Sequence, residues 1–132
     1  MELSDPDRGG LGPVVGIGAS AGGVDALLRV LGNIDAGLPA AVLVVLHVPA
    51  TGRSLLAPIL DRRTGLDVSV AAHGEILVPG RVYVAPADRH LVVAGGRVEL
   101  TRGPKENRFR PAVDPLFRSA ARAYGTRALR RA

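Results

Sequence analysis

The sequence has 132 residues, 47% apolar and 22% charged, with 3% aromatic and neither Trp nor Cys. That is enough for one domain around a core of Val, Leu, Ile and Ala, and it excludes a disulfide framework, a Cys nucleophile and Cys-ligated zinc. The net charge of +5 owes much to Arg118, Arg122, Arg127, Arg130 and Arg131 within the last fifteen residues, which without an aromatic stacking platform read as a solvated helix face and a basic end rather than a nucleic-acid surface.

Residues 1–12, MELSDPDRGGLG, combine early acids with Gly and Pro and have no apolar segment. They read as a flexible leader rather than a signal peptide, and the domain is expected over 13–132. Val14 to Gly18 is a short apolar run entering a Gly-rich turn, hence a strand. Val24, Leu27, Leu28 and Leu31 then follow the i, i+3, i+4, i+7 pattern of an amphipathic helix, ended by Gly32-Asn33. Ala41 to Leu46 is apolar throughout, as in a strand buried on both faces of a parallel sheet, and it ends at His47 before Pro49. The longest apolar stretch, Leu38 to Leu46, is too short to span a bilayer, so no membrane insertion is expected.

Leu55, Leu56, Ile59 and Leu60 predict a second helix with Thr51 or Ser54 as N-cap, and Asp67 to Ala71 a third parallel strand. Arg81 to Ala85, His90 to Ala94 and Arg97 to Thr101 are short and β-rich, with Gly95-Gly96 as a hairpin turn, and are expected to form an antiparallel insert. A polar loop over 102–111 precedes a third helix, with Asp114 as N-cap, Pro115 at the first helical position, an apolar face of Leu116, Phe117, Ala120, Ala121 and Tyr124, and Gly125 as C-cap. The alternation predicts a three-layer α/β/α domain with a mainly parallel sheet and an antiparallel hairpin. A helix that has crossed a parallel sheet should deliver the chain to another strand, yet RALRRA has three arginines in six residues, a poor buried strand. The domain is therefore expected to be incomplete at its C-terminus.

The turn Gly16-Ile17-Gly18-Ala19-Ser20-Ala21-Gly22-Gly23 admits three readings. One is a tight strand-to-helix turn that needs small residues. Another is a dinucleotide turn, which normally places Asp or Glu at the end of the next strand, where this chain has His47. The third is a nucleophile elbow: Gly18-Ala19-Ser20-Ala21-Gly22 fits Gly-x-Ser-x-Gly, with the Ala21 backbone N–H opening the helix as oxyanion donor. His47 favours the third, because one right-handed crossover sets the ends of two neighbouring parallel strands side by side, where an imidazole can take the serine proton. His73 and His90 read as structural or surface residues. No convergent acids or histidines show metal-ligand spacing, and no cofactor is called for.

VVGIGASAGG, then LHVP about 27 residues after the serine, then PGRVYVAPADRHL, then NRFRPAVDPLFRSAA, resemble in order and wording the catalytic domain of CheB-type chemotaxis methylesterases. The resemblance implies hydrolysis of methyl-esterified glutamates on the cytoplasmic helices of methyl-accepting chemotaxis receptors, deamidation of glutamines, and a cytoplasmic location. It implies Ser20 as nucleophile and His47 as general acid/base, with the loop carrying Arg108 and Arg110 against an acidic receptor helix. Family members commonly carry an N-terminal receiver domain, so a separate receiver or other regulator is expected to act on this chain. The family's third triad member, an Asp in a Gly/Asp-rich turn after a further strand, is expected to be missing; Asp114 is explained by N-capping. Loss of that orienting acid and of a further strand predicts a marginally stable chain that is weakly active or inactive alone. A catalytically impaired module that binds receptor or partner, and a nucleotide-binding module, stand as alternatives.

Overall fold

In the computed structural model, residues 14–20, 23–35, 37–47, 56–106, 110–124 and 128–131 are described; the leader, Thr51, Ser54 and Gly125 lie outside them. The two apolar runs read from the sequence form the centre. β1 (Val14–Ser20) pairs in parallel with β2 (Ala41–His47), and Val42 to Val45 are buried without a break. Between them α1 (Val24–Gly32) buries Leu27 and Leu31, and Asn33 caps it through its backbone N–H. After β2 come α2 (Leu56–Thr64), β3 (Asp67–Val70), β4 (Arg81–Val84), β5 (His90–Ala94), β6 (Arg97–Thr101), α3 (Val113–Tyr124) and β7 (Ala128–Arg131).

The described sheet runs β3-β4-β2-β1-β7, all parallel, with β5 and β6 as a separate antiparallel pair. Strand alternation splits the core in two. Val15, Ile17, Val42, Val44, Val68, Val82 and Val84 meet α1 and α2 on one face. Val14, Ala41, Leu43, Val45 and Tyr83 meet α3 and the hairpin on the other. This is the expected three-layer α/β/α arrangement.

The hairpin turn uses Gly95 and Gly96 at φ of 57° and 74°, left-handed values that a two-residue turn requires and a side chain resists. Both edges of the hairpin make hydrogen bonds to neighbouring elements. Residues 74–77 lie along β6, where Val98 N–H donates to Glu75 O (2.8 Å) and Leu77 N–H to Gly96 O (3.0 Å). On the β5 side, Val93 N–H donates to Ser119 Oγ of α3 at 3.1 Å.

Four expectations are corrected. Arg81 to Val84 is not part of the antiparallel insert; it pairs in parallel with both β2 and β3. The excursion over 71–80 carries the chain back to the same edge, and the near-complete burial of β4 is that of an interior parallel strand. The segment after α3 does form a strand: β7 pairs in parallel with β1, Val14 with Ala128 through Ile17 with Arg131. The crossover rule outweighs composition here. Helix α3 starts at Val113, so Asp114 and Pro115 sit inside its first turn, where an acid still complements the helix dipole. Ala121, assigned to the apolar face of α3, is exposed, whereas Leu116 and Ala120 are buried.

Candidate active site

The carboxyl ends of β1 and β2 meet in register: Gly18 stands opposite Val45, Ala19 opposite Leu46 and Ser20 opposite His47. The sheet grows in both directions from β1, with β2 on one flank and β7 on the other. Reversals of this kind are where open α/β sheets bind ligands, at the carboxyl edge. Ala21, the expected oxyanion donor, lies outside the described residues, and the chain resumes at Gly23 before α1.

Gly16 and Gly18 are explained by packing. Neither has a left-handed φ, and both lie within β1 rather than in a turn. A Cβ on Gly16 would stand 3.1 Å from Cε1 of Phe117. A Cβ on Gly18 would stand 2.8 Å from Cγ1 of Val113 and nearer still to its Cγ2, a collision with the first residue of α3. The smallness of Gly18 admits α3.

The segment leading into α3 is pinned by side chains whose partners lie in other turns, and the structural reading of His90 holds. His90 is 2% exposed and uses both ring nitrogens. Nδ1 accepts from Ala112 N–H at 3.2 Å and Nε2 donates to Pro104 O at 2.7 Å, so the partners select the neutral Nε2–H tautomer. Arg110 donates from Nε (2.9 Å) and Nη2 (2.6 Å) to Oδ1 of Asp88, and from Nη1 to Gly103 O at 3.4 Å. Asp88 sits at φ 62°, a left-handed conformation that Asp tolerates better than most residues. The hydrogen bonds from Arg110 hold its carboxyl below the ordinary value, and the Arg102 and Lys105 charges act in the same direction. Glu106 and Arg118 form a two-pronged pair at 2.6 and 3.1 Å that ties this segment to α3, and it lowers the Glu106 pKa. Arg110, expected against substrate, thus has its guanidinium turned to Asp88; Arg108 lies outside the described residues. His73 Nδ1 accepts from Leu100 N–H at 3.1 Å, a structural contact. The one signal for Asp88 in the sequence is its place in the Pro86-Ala87-Asp88 turn after β4.

A cavity of about 280 Å³ lies beside the end of β1, lined by Ile17, Gly18, Ala19, Ala26, Leu27 and Val30. A larger cleft of about 500 Å³ lies between the hairpin and α3, and its lining includes no β1 or β2 residue. Among the described residues no three His, Asp or Glu side chains converge as metal ligands, and no helix is long and apolar enough to cross a membrane.

The CheB methylesterase family model matches residues 15–130. The chain is 45% identical over 118 residues to a protein-glutamate methylesterase/protein-glutamine glutaminase of Azospirillum brasilense, covering 86% of this chain and 30% of that protein. A Myxococcus xanthus (strain DK1622) protein of the same description, numbered 4, is 47% identical over 117 residues, with 88% and 33% covered. The chain thus spans about a third of the length of these curated relatives. The crystal structure of the Thermotoga maritima CheB methylesterase catalytic domain superposes with a TM-score of 0.83 at 37% identity, over 90% of this chain and 65% of that one. The parallel sheet with its antiparallel pair, the register of Ser20 with His47 and these similarities lead to one conclusion: the chain belongs to the CheB methylesterase family.

Proposed function

We propose that this chain carries the nucleophile and base of a serine carboxylic-ester hydrolase, a protein-glutamate methylesterase that also deamidates glutamine. The reading rests on the pairing of Ser20 with His47 at the carboxyl ends of adjacent parallel strands. Strands in a sheet lie about 4.8 Å apart, so paired positions bring a serine hydroxyl and an imidazole within reach of a hydrogen bond.

The chemistry is a two-step acyl transfer. The Ser20 oxygen attacks the ester carbonyl as its proton passes to His47, and the imidazolium returns that proton to the departing methoxide, releasing methanol. Water then attacks the acyl-enzyme as the imidazole takes its proton, the imidazolium passes that proton to the departing Ser20 oxygen, and the receptor side chain leaves as glutamate. For a glutamine side chain the leaving group is ammonia. The backbone N–H of Ala21 is the proposed oxyanion donor.

The substrates are proposed to be the cytoplasmic helices of methyl-accepting chemotaxis receptors, which places the chain in the cytoplasm. The basic segment with Arg108 and Arg110 is proposed to face an acidic helix. Because Asp88 occupies the Arg110 guanidinium, the part of Arg110 in this would be to hold the segment in shape. Residues 13–132 are proposed to form the catalytic-domain portion, acted on by a receiver domain or other regulator.

A fluorophosphonate probe tests the assignment, since it labels only an activated hydroxyl. Labelling should occur at Ser20, vanish in Ser20→Ala, and fall by about 10²–10⁴ in His47→Gln, the range of general acid–base catalysis. A wild-type chain that folds and binds receptor peptide but resists the probe would instead be a binding module.

A further inference from the structure

The face of β1 that meets α3 carries Val14, Gly16 and Gly18. Strand alternation makes position 20 the next on that face. Val113 therefore seats on the strand one side-chain position before the proposed nucleophile. The neighbours of Val113 are pinned: the preceding residue, Ala112, is buried and donates its N–H to His90, and Arg110 is locked to Asp88. Val113 has little room to yield to a Cβ on Gly18.

We propose that Val113 is a positioning residue for Ser20. Packed on Gly18, it sets the separation of β1 from the start of α3, and so the place at which the strand releases the chain into the Ser20 turn. The Gly-rich motif near the start of the chain and the Ala-Val-Asp-Pro motif near its end are then two halves of one contact. This inference rests on the assignment of Ser20 as nucleophile; the Gly18–Val113 packing does not.

The experiment compares the rate of fluorophosphonate labelling with the thermal midpoint in the full 132-residue chain. The variants are Gly18→Ala, Val113→Ala, the double variant, and Val98→Ala as a control in β6 of the hairpin. Each single variant at the contact should label at least about tenfold more slowly, because small displacements of a reacting group carry large rate costs. The double variant should recover to within about threefold of wild type, since its new Cβ fills the space left by valine. Val98→Ala should lower the midpoint and leave labelling unchanged.

Wild-type labelling in Val113→Ala, or no recovery in the double variant, overturns the proposal. So does labelling that tracks the midpoint across all four variants. Should Gly18→Ala fail to fold, Val113→Ala and the double variant still decide. Failure of the wild-type chain to label, or labelling that survives Ser20→Ala, overturns the nucleophile assignment itself and is recognised separately.

Discussion

Arg110 gives two hydrogen bonds to a single oxygen of Asp88, and Asp88 accepts them from a left-handed backbone conformation. The pair joins the turn after β4 to the segment that leads into α3, so it links the carboxyl edge of the sheet to the helix that covers β1. Asp88→Asn keeps the shape and the tolerance for positive φ while removing the charge. It should lower the thermal midpoint at neutral pH. Asp88→Gly relieves the backbone conformation but deletes the pair, so a fall in its midpoint as well would mean that the ion pair outweighs the strain.

The same pair sets an acid limit. The Arg110 hydrogen bonds lower the Asp88 pKa below its ordinary 3.8. A depressed carboxylate contributes stability that is complete above the unfolded pKa and is lost as pH falls through the folded one. Wild type should therefore exceed Asp88→Asn in midpoint at pH 6, and the two should converge as the pH drops below about 4. Parallel curves down to pH 2 would show that the charge contributes nothing to stability.

Tyr83 is buried in the core, but its hydroxyl accepts from Val78 N–H at 2.7 Å and donates to Ile76 O at 3.0 Å. Tyr83→Phe keeps the ring and should cost about 1–2 kcal/mol in denaturant unfolding. Burial raises the hydroxyl pKa above 10.0. The sign is opposite to that of Asp88: the folded state keeps the proton longer, so stability present below pH 10 is lost as pH rises above it. The phenylalanine variant should lack that alkaline loss, and the late-ionising part of the tyrosinate absorbance should disappear with it.

What could be read in the sequence depended on whether its cause was local. β1, α1 and β2 follow from periodicity within each segment, and the approach of Ser20 to His47 follows from one crossover between them. The reason for Gly18 is remote, because the residue that needs the space is Val113. Arg110 read as a substrate contact because nothing in its own segment announces Asp88, which comes from another turn. Arg81 to Val84 has a strand composition that does not distinguish a parallel from an antiparallel partner, and its partners, β2 and β3, lie in other segments.

His90 closes both ends of the segment between Pro104 and Ala112. Ala112 is buried, so removing its acceptor leaves an amide unsatisfied. His90→Phe should cost about 1–3 kcal/mol. His90→Gln, able to restore one of the two hydrogen bonds, should lose less. Equal losses in the two variants would mean that packing of the imidazole, rather than its hydrogen bonds, holds the segment.

β7 is the element for which composition and topology disagreed, with two arginines among its four residues, Ala128 to Arg131. If backbone pairing with Val14 to Ile17 defines it, the evidence should appear in amide exchange. In a parallel ladder a strand bonds to a given neighbour through alternate residues. Protection over 128–131 should therefore alternate, with about half of the amides exchanging slowly. The slow amides should speed up in any variant that loosens β1, Gly18→Ala included. Uniformly fast exchange across all four residues would remove β7 from the sheet and make β1 its edge. The charged end of the chain would then be a solvated tail, as its composition alone suggests.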